Sequence, residues 1–375
     1  MRIGFDAKRA YQNYTGLGNY SRDLLKGLME FAPEHDYHLY APKITKVPSV
    51  KFISQYDNAQ VSTPQSPLDK TFKGLWRSVN LEKDLIQDGI EIFHGLSNEI
   101  PRKGNGSNIK YVVTIHDLIF KRYPRNYKAI DRRIYNTKFK YACKNSDRII
   151  AISEQTKRDI VNFYGIPEDR ISVIYQTCHE NFKKAYSEEI KNHIKEKFDL
   201  PSQFILNVGT IETRKNLYGL IQATLSMKND LPIVVVGKKT KYFNFIKVQM
   251  QKLKIDPSKL IFLKDVSIEE LPAIYQLASV FVYPSHFEGF GIPIIEALHS
   301  GTPVITSNGG CFAEAAGPNS KFIDPDDPEE IGEMIDLVLT DSTLVQNMQV
   351  EGKKYVERFE PELLTSQLLN IYKNL

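Results

Sequence analysis

The stretch of sequence that constrains the fold most strongly is Pro284-Ser285-His286-Phe287-Glu288-Gly289-Phe290-Gly291-Ile292-Pro293-Ile294-Ile295-Glu296-Ala297-Leu298. It follows the apolar run Val280–Tyr283, which predicts a strand, and it passes from a glycine-rich turn into an apolar segment. Pro293 suits the first position of a helix, and Gly301 suits its C-terminal cap. The stretch therefore predicts a strand, a turn and a helix, the unit from which parallel α/β sheets are built.

Two carboxylates lie eight residues apart in this stretch, Glu288 on the turn and Glu296 one turn into the helix. The N–H groups of Gly289 to Ile292 lie at the helix start, where unpaired donors and the helix dipole favour an anion. A carboxylate beside an anion is unfavourable unless neutral donors such as sugar hydroxyls bind to it. The pattern predicts a ligand that combines phosphate with polyols, and a nucleotide sugar has both.

Short apolar runs alternate with amphipathic stretches along the whole chain, which is typical of βαβ units. The rhythm restarts after the polar segment Glu180–Lys197, so we predict two α/β halves. The predicted strands are Arg2–Asp6, Tyr37–Tyr40, Glu91–His94, Lys110–Ile115, Arg148–Ile152, Ser172–Tyr175, Gln203–Val208, Pro232–Val236, Leu260–Leu263, Val280–Tyr283 and Pro303–Thr306. After Pro361 we expect a final helix, Glu362–Asn374, to return to the first half. Ligands of parallel sheets bind at the carboxyl ends of strands, so we expect a cleft between two facing sheets.

The composition excludes several classes of protein. Of the 375 residues, 42% are hydrophobic and 25% charged, as in soluble globular proteins and unlike disordered chains. The three cysteines form no CxxC pair, which disfavours a zinc knuckle or a disulfide framework. No run approaches the ~18 apolar residues of a membrane helix, and the sequence starts without a signal-peptide core. We expect a cytoplasmic enzyme of two domains.

A glycine-rich motif, Thr15-Gly16-Leu17-Gly18, precedes the predicted helix Asn19–Glu30. Glycine allows close approach of a ligand, and a helix start favours a phosphate. Ser21 replaces the third glycine of a dinucleotide fingerprint, and Thr15 lies nine positions after Asp6, so a nicotinamide cofactor is disfavoured. A purely structural loop is the alternative.

Three further motifs carry side chains suited to a ligand. His116 directly follows the strand Lys110–Ile115 and is expected to donate to a sugar or phosphate oxygen in the cleft, or else to be a satisfied strand-end histidine. Arg214 and Lys215 follow the strand that opens the second half, where a guanidinium fork and an ammonium suit a diphosphate. Asp324-Pro325-Asp326-Asp327 contains an Asp-x-Asp that could hold a metal, but Asp327 is better interpreted as a helix N-cap.

Together these motifs resemble the retaining glycosyltransferases of family four (glycosyl transferases group 1, mannosyltransferase-like), which have the GT-B architecture of two facing Rossmann-like domains. The resemblance rests on the Glu-x7-Glu element, and on motifs that occur in the family's order: Gly16-Leu17-Gly18, Thr114-Ile115-His116-Asp117, Val208-Gly209-Thr210 with Arg214-Lys215-Asn216, and Phe262-Leu263-Lys264-Asp265-Val266-Ser267. It implies an acceptor-side domain over 1–184, joined by the returning helix 361–375, and a donor-binding domain over 185–360. The loop Asn308–Phe312 departs from the family's usual composition.

The resemblance also implies roles for individual residues. Arg214 and Lys215 would clamp the donor diphosphate, Glu296 would accept hydrogen bonds from the ribose, and His116 would lie near the reacting carbon. The donor sugar would be gripped by Glu288 and the following turn of Gly289, Phe290, Gly291 and Ile292. Gly16 and Gly18 would lie near the phosphates, and Val266 would lie in the base-binding turn. No metal or cofactor is implied, because Arg214 and Lys215 would neutralise the leaving diphosphate.

The expected activity is transfer of a mannose-like or glucose-like hexose, with retention of configuration, from a GDP- or UDP-linked donor to a saccharide or lipid-linked acceptor in surface polysaccharide synthesis. One alternative is a nucleotide-sugar epimerase of the same fold. Another is a nucleic-acid-binding protein that uses the basic, aromatic-rich stretch 119–144; packing of those aromatics in the core is favoured over this, so no nucleic acid is expected.

Positive charge is concentrated in the first half of the chain. Residues 1–200 carry 33 lysines and arginines against 24 acids, whereas residues 201–375 carry 16 against 21. A solvated basic face with no function is one interpretation. The other is an anionic partner, and cations such as Lys121, Arg122, Arg125, Arg132 and Arg133 would suit a lipid-linked diphosphate or an anionic membrane surface. We therefore expect a cytoplasmic enzyme that attaches peripherally to the inner face of the membrane.

Overall fold

The computed structural model describes residues 1–45, 48–104 and 107–375. The chain separates into two compact units. Unit 1 comprises Met1–Thr177 and Phe359–Leu375, and unit 2 comprises Cys178–Arg358. In the described part of the chain, no helix is long and apolar enough to cross a membrane.

The boundary between the two units of the structure lies before residue 178, whereas the family resemblance implies a domain boundary at 184/185. The segment 178–184 belongs to unit 2 because Phe182 is fully buried there and its ring packs edge-on against Tyr275, with 5.6 Å between centroids. The chain returns to unit 1 at Phe359, whose ring packs against Tyr175 at 5.5 Å.

Unit 1 is built on a parallel sheet in which the described residues form seven strands, in the order β3-β2-β1-β4-β5-β6-β7. The strands are β1 Arg2–Asp6, β2 Asp36–Tyr40, β3 Ala59–Ser62, β4 Ile92–Gly95, β5 Lys110–Ile115, β6 Arg148–Ala151 and β7 Ile171–Val173. The helices around it are α1 Lys8–Gln12, α2 Gly16–Phe31, α3 Pro67–Thr71, α4 Lys73–Leu75, α5 Leu81–Gln87, α6 Ile119–Arg122, α7 Ala129–Asn145 and α8 Glu154–Tyr164. A π-helical turn, Trp76–Asn80, joins α4 to α5.

Unit 2 contains a second parallel sheet, with six strands among the described residues in the order β10-β9-β8-β11-β12-β13. These strands are β8 Ile205–Val208, β9 Ile233–Val236, β10 Leu260–Leu263, β11 Val280–Tyr283, β12 Val304–Ser307 and β13 Lys321–Ile323. Its helices are α9 Glu188–Lys197, α10 Leu217–Ala223, α11 Tyr242–Lys252, α12 Leu271–Leu277, α13 Ile292–His299, α14 Phe312–Ala316, α15 Pro328–Thr340 and α16 Ser342–Val356.

The last helix, α17 (Pro361–Lys373), packs on α2 within unit 1, which confirms the predicted return of the tail. Leu364, Leu368 and Tyr372 join the core of that unit. The two helices approach closely at Gly27, where an added Cβ would lie 2.7 Å from the Oγ1 of Thr365. A glycine at this position is therefore needed for the packing.

All eleven predicted strands exist, and the described residues contain two further short edge strands that were missed. The missed strands are β3 and β13, at one edge of each sheet. Each contacts only one neighbouring strand, and most of their residues are half-buried or exposed. An edge strand needs no continuous apolar run, and β3 (Ala-Gln-Val-Ser) and β13 (Lys-Phe-Ile) have none, so the pattern that predicts the other strands does not detect them.

Candidate functional site

The order of strands in the unit 2 sheet reverses between β8 and β11. Strands β9 and β10 are added on one side of β8, whereas β11, β12 and β13 are added on the other side. Ligands of open α/β sheets bind at such a switch point, outside the carboxyl ends of the strands. The turn after β8 carries Arg214 and Lys215, and the turn after β11 carries Glu288. The two strongest sequence motifs therefore meet at this edge.

Glu288 is the centre of the cluster formed there. Its Oε1 lies 2.7 Å from Nη1 of Arg214 and 2.6 Å from Nζ of Lys215, and it accepts a 3.1 Å hydrogen bond from the hydroxyl of Tyr283. Arg214 also donates to the carbonyl of Phe287. The sequence predicts Glu288 as a sugar-binding carboxylate, whereas the structure shows that it also holds the two cations in place.

Burial and charge act in opposite directions on this cluster. Burial alone would raise the pKa of the Glu288 carboxyl, but the charges of Lys215 and Arg214 lower that pKa to about 2. Burial would likewise lower the pKa of Arg214, but Glu288 and Glu212 raise it above its ordinary value. Glu288 and Arg214 are therefore ionised at neutral pH, and the contacts of Glu288 orient the side chains of Arg214 and Lys215.

Three further residues of the cluster were missed by sequence reasoning. Glu212 binds Nη2 of Arg214 at 2.5 Å, and Tyr283 accepts from Lys215, whose Nζ also lies 4.8 Å from the centre of its ring. Cys311 donates its Sγ–H to the carbonyl of Glu288 at 3.3 Å. The available signals were that Tyr283 ends a predicted strand and that Cys311 lies in the loop that departs from the family pattern.

The turn after β11 leads directly into α13. Gly291 is the N-cap and has a φ of +116°, a conformation that favours glycine. The helix starts at Ile292, so Pro293 occupies the second helical position, one later than predicted, and Gly301 follows the C-cap Ser300 with a φ of +75°. Gly289 and Phe290 lie in the turn itself, and Phe290 is buried.

Glu296, on α13, has a different environment from Glu288. Its Oε2 accepts a 3.0 Å hydrogen bond from the hydroxyl of Tyr275, a fully buried residue of α12. Burial followed by the charge of Glu296 raises the pKa of Tyr275 well above its ordinary value, so the phenol stays a donor. Tyr275 therefore orients this carboxylate on a half-buried helix face.

Val266 lies in the turn after β10, at the same edge of the sheet. Asp265 precedes it with a φ of +53°, and the N–H of Ser267 donates to Oε2 of Glu270 at 2.9 Å. These two features shape a tight turn in which Val266 is half-buried.

The structure confirms the N-cap interpretation of Asp327 in the Asp-x-Asp segment. Asp327 accepts from the N–H groups of Glu329 and Glu330 at 3.0 and 3.1 Å, which caps α15. Asp326 binds Nε2 of His286 at 2.8 Å. Within the described ranges, no group of three or more histidine, cysteine or acidic side chains could hold a metal ion.

In unit 1, the switch point lies between β1 and β4. Gly16 starts α2 and has open space where a Cβ would stand. A Cβ on Gly18 would collide with the carbonyl of Asn13, so this glycine is required by the loop itself. Arg22 donates to the carbonyls of Ala10 and Asn13 at 2.8 and 2.9 Å and holds the loop closed.

His116 follows β5 as predicted, but it is 5% exposed and already engaged within unit 1. Its Nε2 lies 2.9 Å from the carbonyl of Leu96, and its ring packs edge-on against Tyr20 with 4.6 Å between centroids. Burial lowers its pKa to about 4 even though the Leu96 contact opposes the shift. The satisfied-histidine alternative thus describes the state of His116 in this structure.

The aromatic residues of the stretch 119–144 mostly pack on one another. Phe120 and Phe139 are buried. Their rings pack on each other and on the ring of Tyr135, with 5.4 to 5.9 Å between ring centroids. This agrees with core packing and not with an open platform on which nucleic-acid bases could stack. Ile130 and Ile134, in contrast, are exposed on α7 beside Arg132 and Arg133.

Comparison with protein-family models gives a match in each half of the chain. The family model described as Glycosyltransferase Family 4 matches residues 14–178, and the model described as Glycosyl transferases group 1 matches residues 188–355. Both matches place the described motifs inside the matched regions.

Comparison with individual proteins gives relatives of low sequence identity. O-antigen chain mannosyltransferase B of Escherichia coli is 28% identical over 388 aligned residues, and the alignment covers the whole of both chains. The serotype-specific mannosyltransferase WbdA of Escherichia coli is 28% identical over 290 residues, which cover 75% of this chain and 35% of WbdA. The crystal structure of Anabaena Alr3699/HepE in complex with UDP and glucose has a TM-score of 0.76 over the whole of both chains, at 16% identity, and shows the shared fold.

Proposed function

The chain belongs to the glycosyltransferases, with a family 4 region and a group 1 region in a GT-B fold, and from this premise we propose that it transfers a hexose from a nucleotide-diphosphate sugar to a saccharide or lipid-linked acceptor. The observation that carries the proposal is the cluster at the switch point of unit 2, in which the half-buried Arg214 and Lys215 contact the buried Glu288. Two oriented cations at a strand edge suit a diphosphate.

The mechanism follows from the change in charge during transfer. As the bond between the sugar and the diphosphate breaks, negative charge develops on the leaving oxygen. Arg214 and Lys215 would stabilise that charge, and because Glu288 and Tyr283 already hold them, little reorganisation accompanies the step. Glu296, oriented by Tyr275, would accept hydrogen bonds from the ribose hydroxyls. In this proposal no metal ion is needed for the leaving group, and the configuration of the transferred sugar is retained.

Mannose is the donor sugar that we propose first, and synthesis of a surface polysaccharide is the proposed setting. Support comes from the two relatives, one named as an O-antigen chain mannosyltransferase and the other as a serotype-specific mannosyltransferase. The proposed donor is linked to GDP or to UDP, and the binding experiment below distinguishes the two.

We further propose that the enzyme attaches to the cytoplasmic face of an anionic membrane. On α7 of unit 1, Ile130 is 67% exposed and Ile134 46% exposed, with Arg132 and Arg133 between them. Apolar side chains flanked by cations suit an interfacial helix, and each cation near an anionic surface contributes about 1 kcal/mol. Sedimentation with vesicles of rising anionic lipid content, at low and high salt, tests this proposal; no salt-sensitive binding would contradict it.

The donor proposal is tested by thermal unfolding with GDP, UDP, ADP and their hexose conjugates. A ligand at ~100 times its Kd stabilises the folded state by ~2.7 kcal/mol, so the correct nucleotide should raise the unfolding temperature clearly. Arg214→Ala should abolish the shift, whereas Lys252→Ala, which removes an exposed lysine of α11, should retain it. If no nucleotide stabilises the wild type, the proposal fails. Release of an epimerised free sugar without any acceptor would instead favour an epimerase.

A further inference from the structure

The carboxyl edge of the sheet in unit 1 carries two cations that the donor chemistry above does not use. Lys8 and Arg9 are the first two residues of α1 and are separated from β1 by Ala7, at the switch point between β1 and β4. Both residues are half-buried, and neither forms an ion pair with any described residue. Cations in this position need a counter-ion, because partial burial removes part of their hydration.

The acidic side chains of this edge are already bound to other cations. Arg77 donates from Nε to Oδ2 of Asp6 at 2.8 Å and from Nη1 to Oε2 of Glu99 at 2.7 Å. Lys138 adds a second contact to Oε2 of Glu99 at 3.0 Å.

Three cations, Lys8, Arg9 and Arg77, therefore interact with the two carboxylates of Asp6 and Glu99 around Lys8. This leaves an excess of one positive charge around Lys8, whose pKa is lowered by burial and then by the charges of Arg77 and Arg9. An anion placed between Lys8 and Arg9 would remove this repulsion.

A second observation points to a ligand at the same edge. Ser97 follows β4 and is 4% exposed, and its Oγ has no hydrogen-bond partner among the described residues. Its two neighbours in sequence both hold His116, through the carbonyl of Leu96 at 2.9 Å and Oδ1 of Asn98 at 2.8 Å. A buried hydroxyl without a hydrogen-bond partner is unfavourable by about 1–3 kcal/mol. Most buried polar groups of native proteins have a partner, so the Ser97 hydroxyl indicates a bound group.

We propose that Lys8, Arg9 and Ser97 form a binding site for a phosphate group carried by the acceptor. This inference rests on the proposed transferase function, since it assigns the acceptor's chemical class. The guanidinium of Arg9 offers a planar fork of donors, Lys8 offers a compact charge, and the Ser97 hydroxyl donates one further hydrogen bond. The ligand class is a sugar phosphate or a lipid-linked diphosphate, which share this recognition chemistry.

The test measures binding of labelled inorganic pyrophosphate to the full chain by equilibrium dialysis. Wild type should bind two equivalents, one at each switch point. Lys8→Gln/Arg9→Gln should lose one equivalent or bind it at least 10-fold more weakly, and Arg214→Gln/Lys215→Gln should lose the other. The matched control is Lys157→Gln/Arg158→Gln, which removes an adjacent lysine and arginine on α8 of the same unit and should bind like the wild type.

The variants separate the two proposals. If only the Arg214→Gln/Lys215→Gln variant loses an equivalent of pyrophosphate, the acceptor site is overturned and the donor site stands. If only the Lys8→Gln/Arg9→Gln variant loses one, the acceptor site is supported and the donor clamp is overturned. Trp76 is the only tryptophan and lies beside Arg77, so its fluorescence shows whether unit 1 of each variant is folded. Ser97→Ala removes no charge and should also weaken binding of the pyrophosphate assigned to Lys8 and Arg9. The site would be overturned if Ser97→Ala and a folded Lys8→Gln/Arg9→Gln variant both bound pyrophosphate like the wild type.

Competition identifies the source of the phosphate. Displacement of the label from the Arg214→Gln/Lys215→Gln variant by a hexose phosphate would indicate a soluble acceptor. Displacement only by a polyprenyl diphosphate in detergent micelles would indicate a lipid-linked acceptor. If neither displaces the label, the site does not bind the acceptor.

Discussion

Lys215 and Glu288 form a 2.6 Å ion pair that joins the turns after two adjacent strands of the unit 2 sheet. Glu288 is buried and Lys215 half-buried, and Arg214 binds the same oxygen of Glu288 at 2.7 Å. A carboxylate shared by two cations leaves one positive charge in excess, which suits an anionic ligand at that edge. Glu212 reduces this excess through Arg214, but it is the more exposed of the two acids.

Loss of either cation of this cluster should reduce activity strongly. Arg214→Ala and Lys215→Ala should each lower kcat/KM by at least ~100-fold, because each removes a charge-assisted contact that strengthens as the diphosphate leaves. Steady-state kinetics with the identified donor measure the effect, and Lys252→Ala is the control for an uninvolved lysine. Full activity of either variant would remove the clamp assignment.

The two carboxylates should have separable effects on ligand binding. Glu296→Ala should weaken binding of the bare nucleotide by roughly 1.5–3 kcal/mol, the range for a hydrogen bond to a charged group. Glu288→Ala should reduce turnover of the nucleotide sugar more than it reduces nucleotide binding, since Glu288 is proposed to grip the sugar. Calorimetric titration measures both, and equal nucleotide binding by wild type and Glu296→Ala would contradict this division of roles.

Unit 1 should lose stability in mild acid because it buries neutral histidines. Burial lowers the pKa of His116 to about 4, and burial followed by the charge of His116 lowers that of His94 to about 3. Above pH 6.5 both histidines are neutral in the folded and in the unfolded chain. Below pH 6.5 the histidines of the unfolded chain bind protons and those of the folded chain do not. The free energy of unfolding therefore falls with pH until the pKa of the folded state is reached. At pH 5 each histidine should contribute roughly 2 kcal/mol of this loss.

Urea unfolding followed by Trp76 fluorescence at pH 7 and pH 5 measures this loss in unit 1. His116→Gln should be less stable than wild type at pH 7, but its stability should fall less between the two pH values. An equal fall in both proteins would show that His116 is not buried in the neutral form.

The contact between α2 and α17 should be sensitive to a single methyl group. Gly27→Ala would place a Cβ 2.7 Å from Oγ1 of Thr365, closer than real contacts allow. Although alanine favours a helix by up to ~1 kcal/mol over glycine, the clash should destabilise unit 1 by ~1–3 kcal/mol. Gly27→Ala/Thr365→Ala should recover most of that loss, and urea unfolding of the four proteins in this cycle gives the coupling. Additive effects would mean that α17 does not pack at Gly27.

Local sequence was sufficient to predict most of the strands and the residues that follow them. Buried parallel strands such as β9 appear as continuous apolar runs, and glycine, proline and charged residues mark the turns at their carboxyl ends. Motifs such as Arg214-Lys215 could be recognised because residue type and position after a strand already restrict their chemistry. The same information does not detect β3 and β13, since edge strands need no apolar run.

The partners of those motif residues were decided only by the tertiary structure. The order of strands brings β8 beside β11, and this places Glu288 on Arg214 and Lys215 instead of leaving it for a ligand alone. Likewise, the loop after β4 buries His116 against Leu96, a contact that no local pattern indicates. Sequence periodicity reports which face of an element is buried, but the pairing of strands depends on contacts between residues far apart in the chain, so charge partners and burial at the site follow from the assembled sheets.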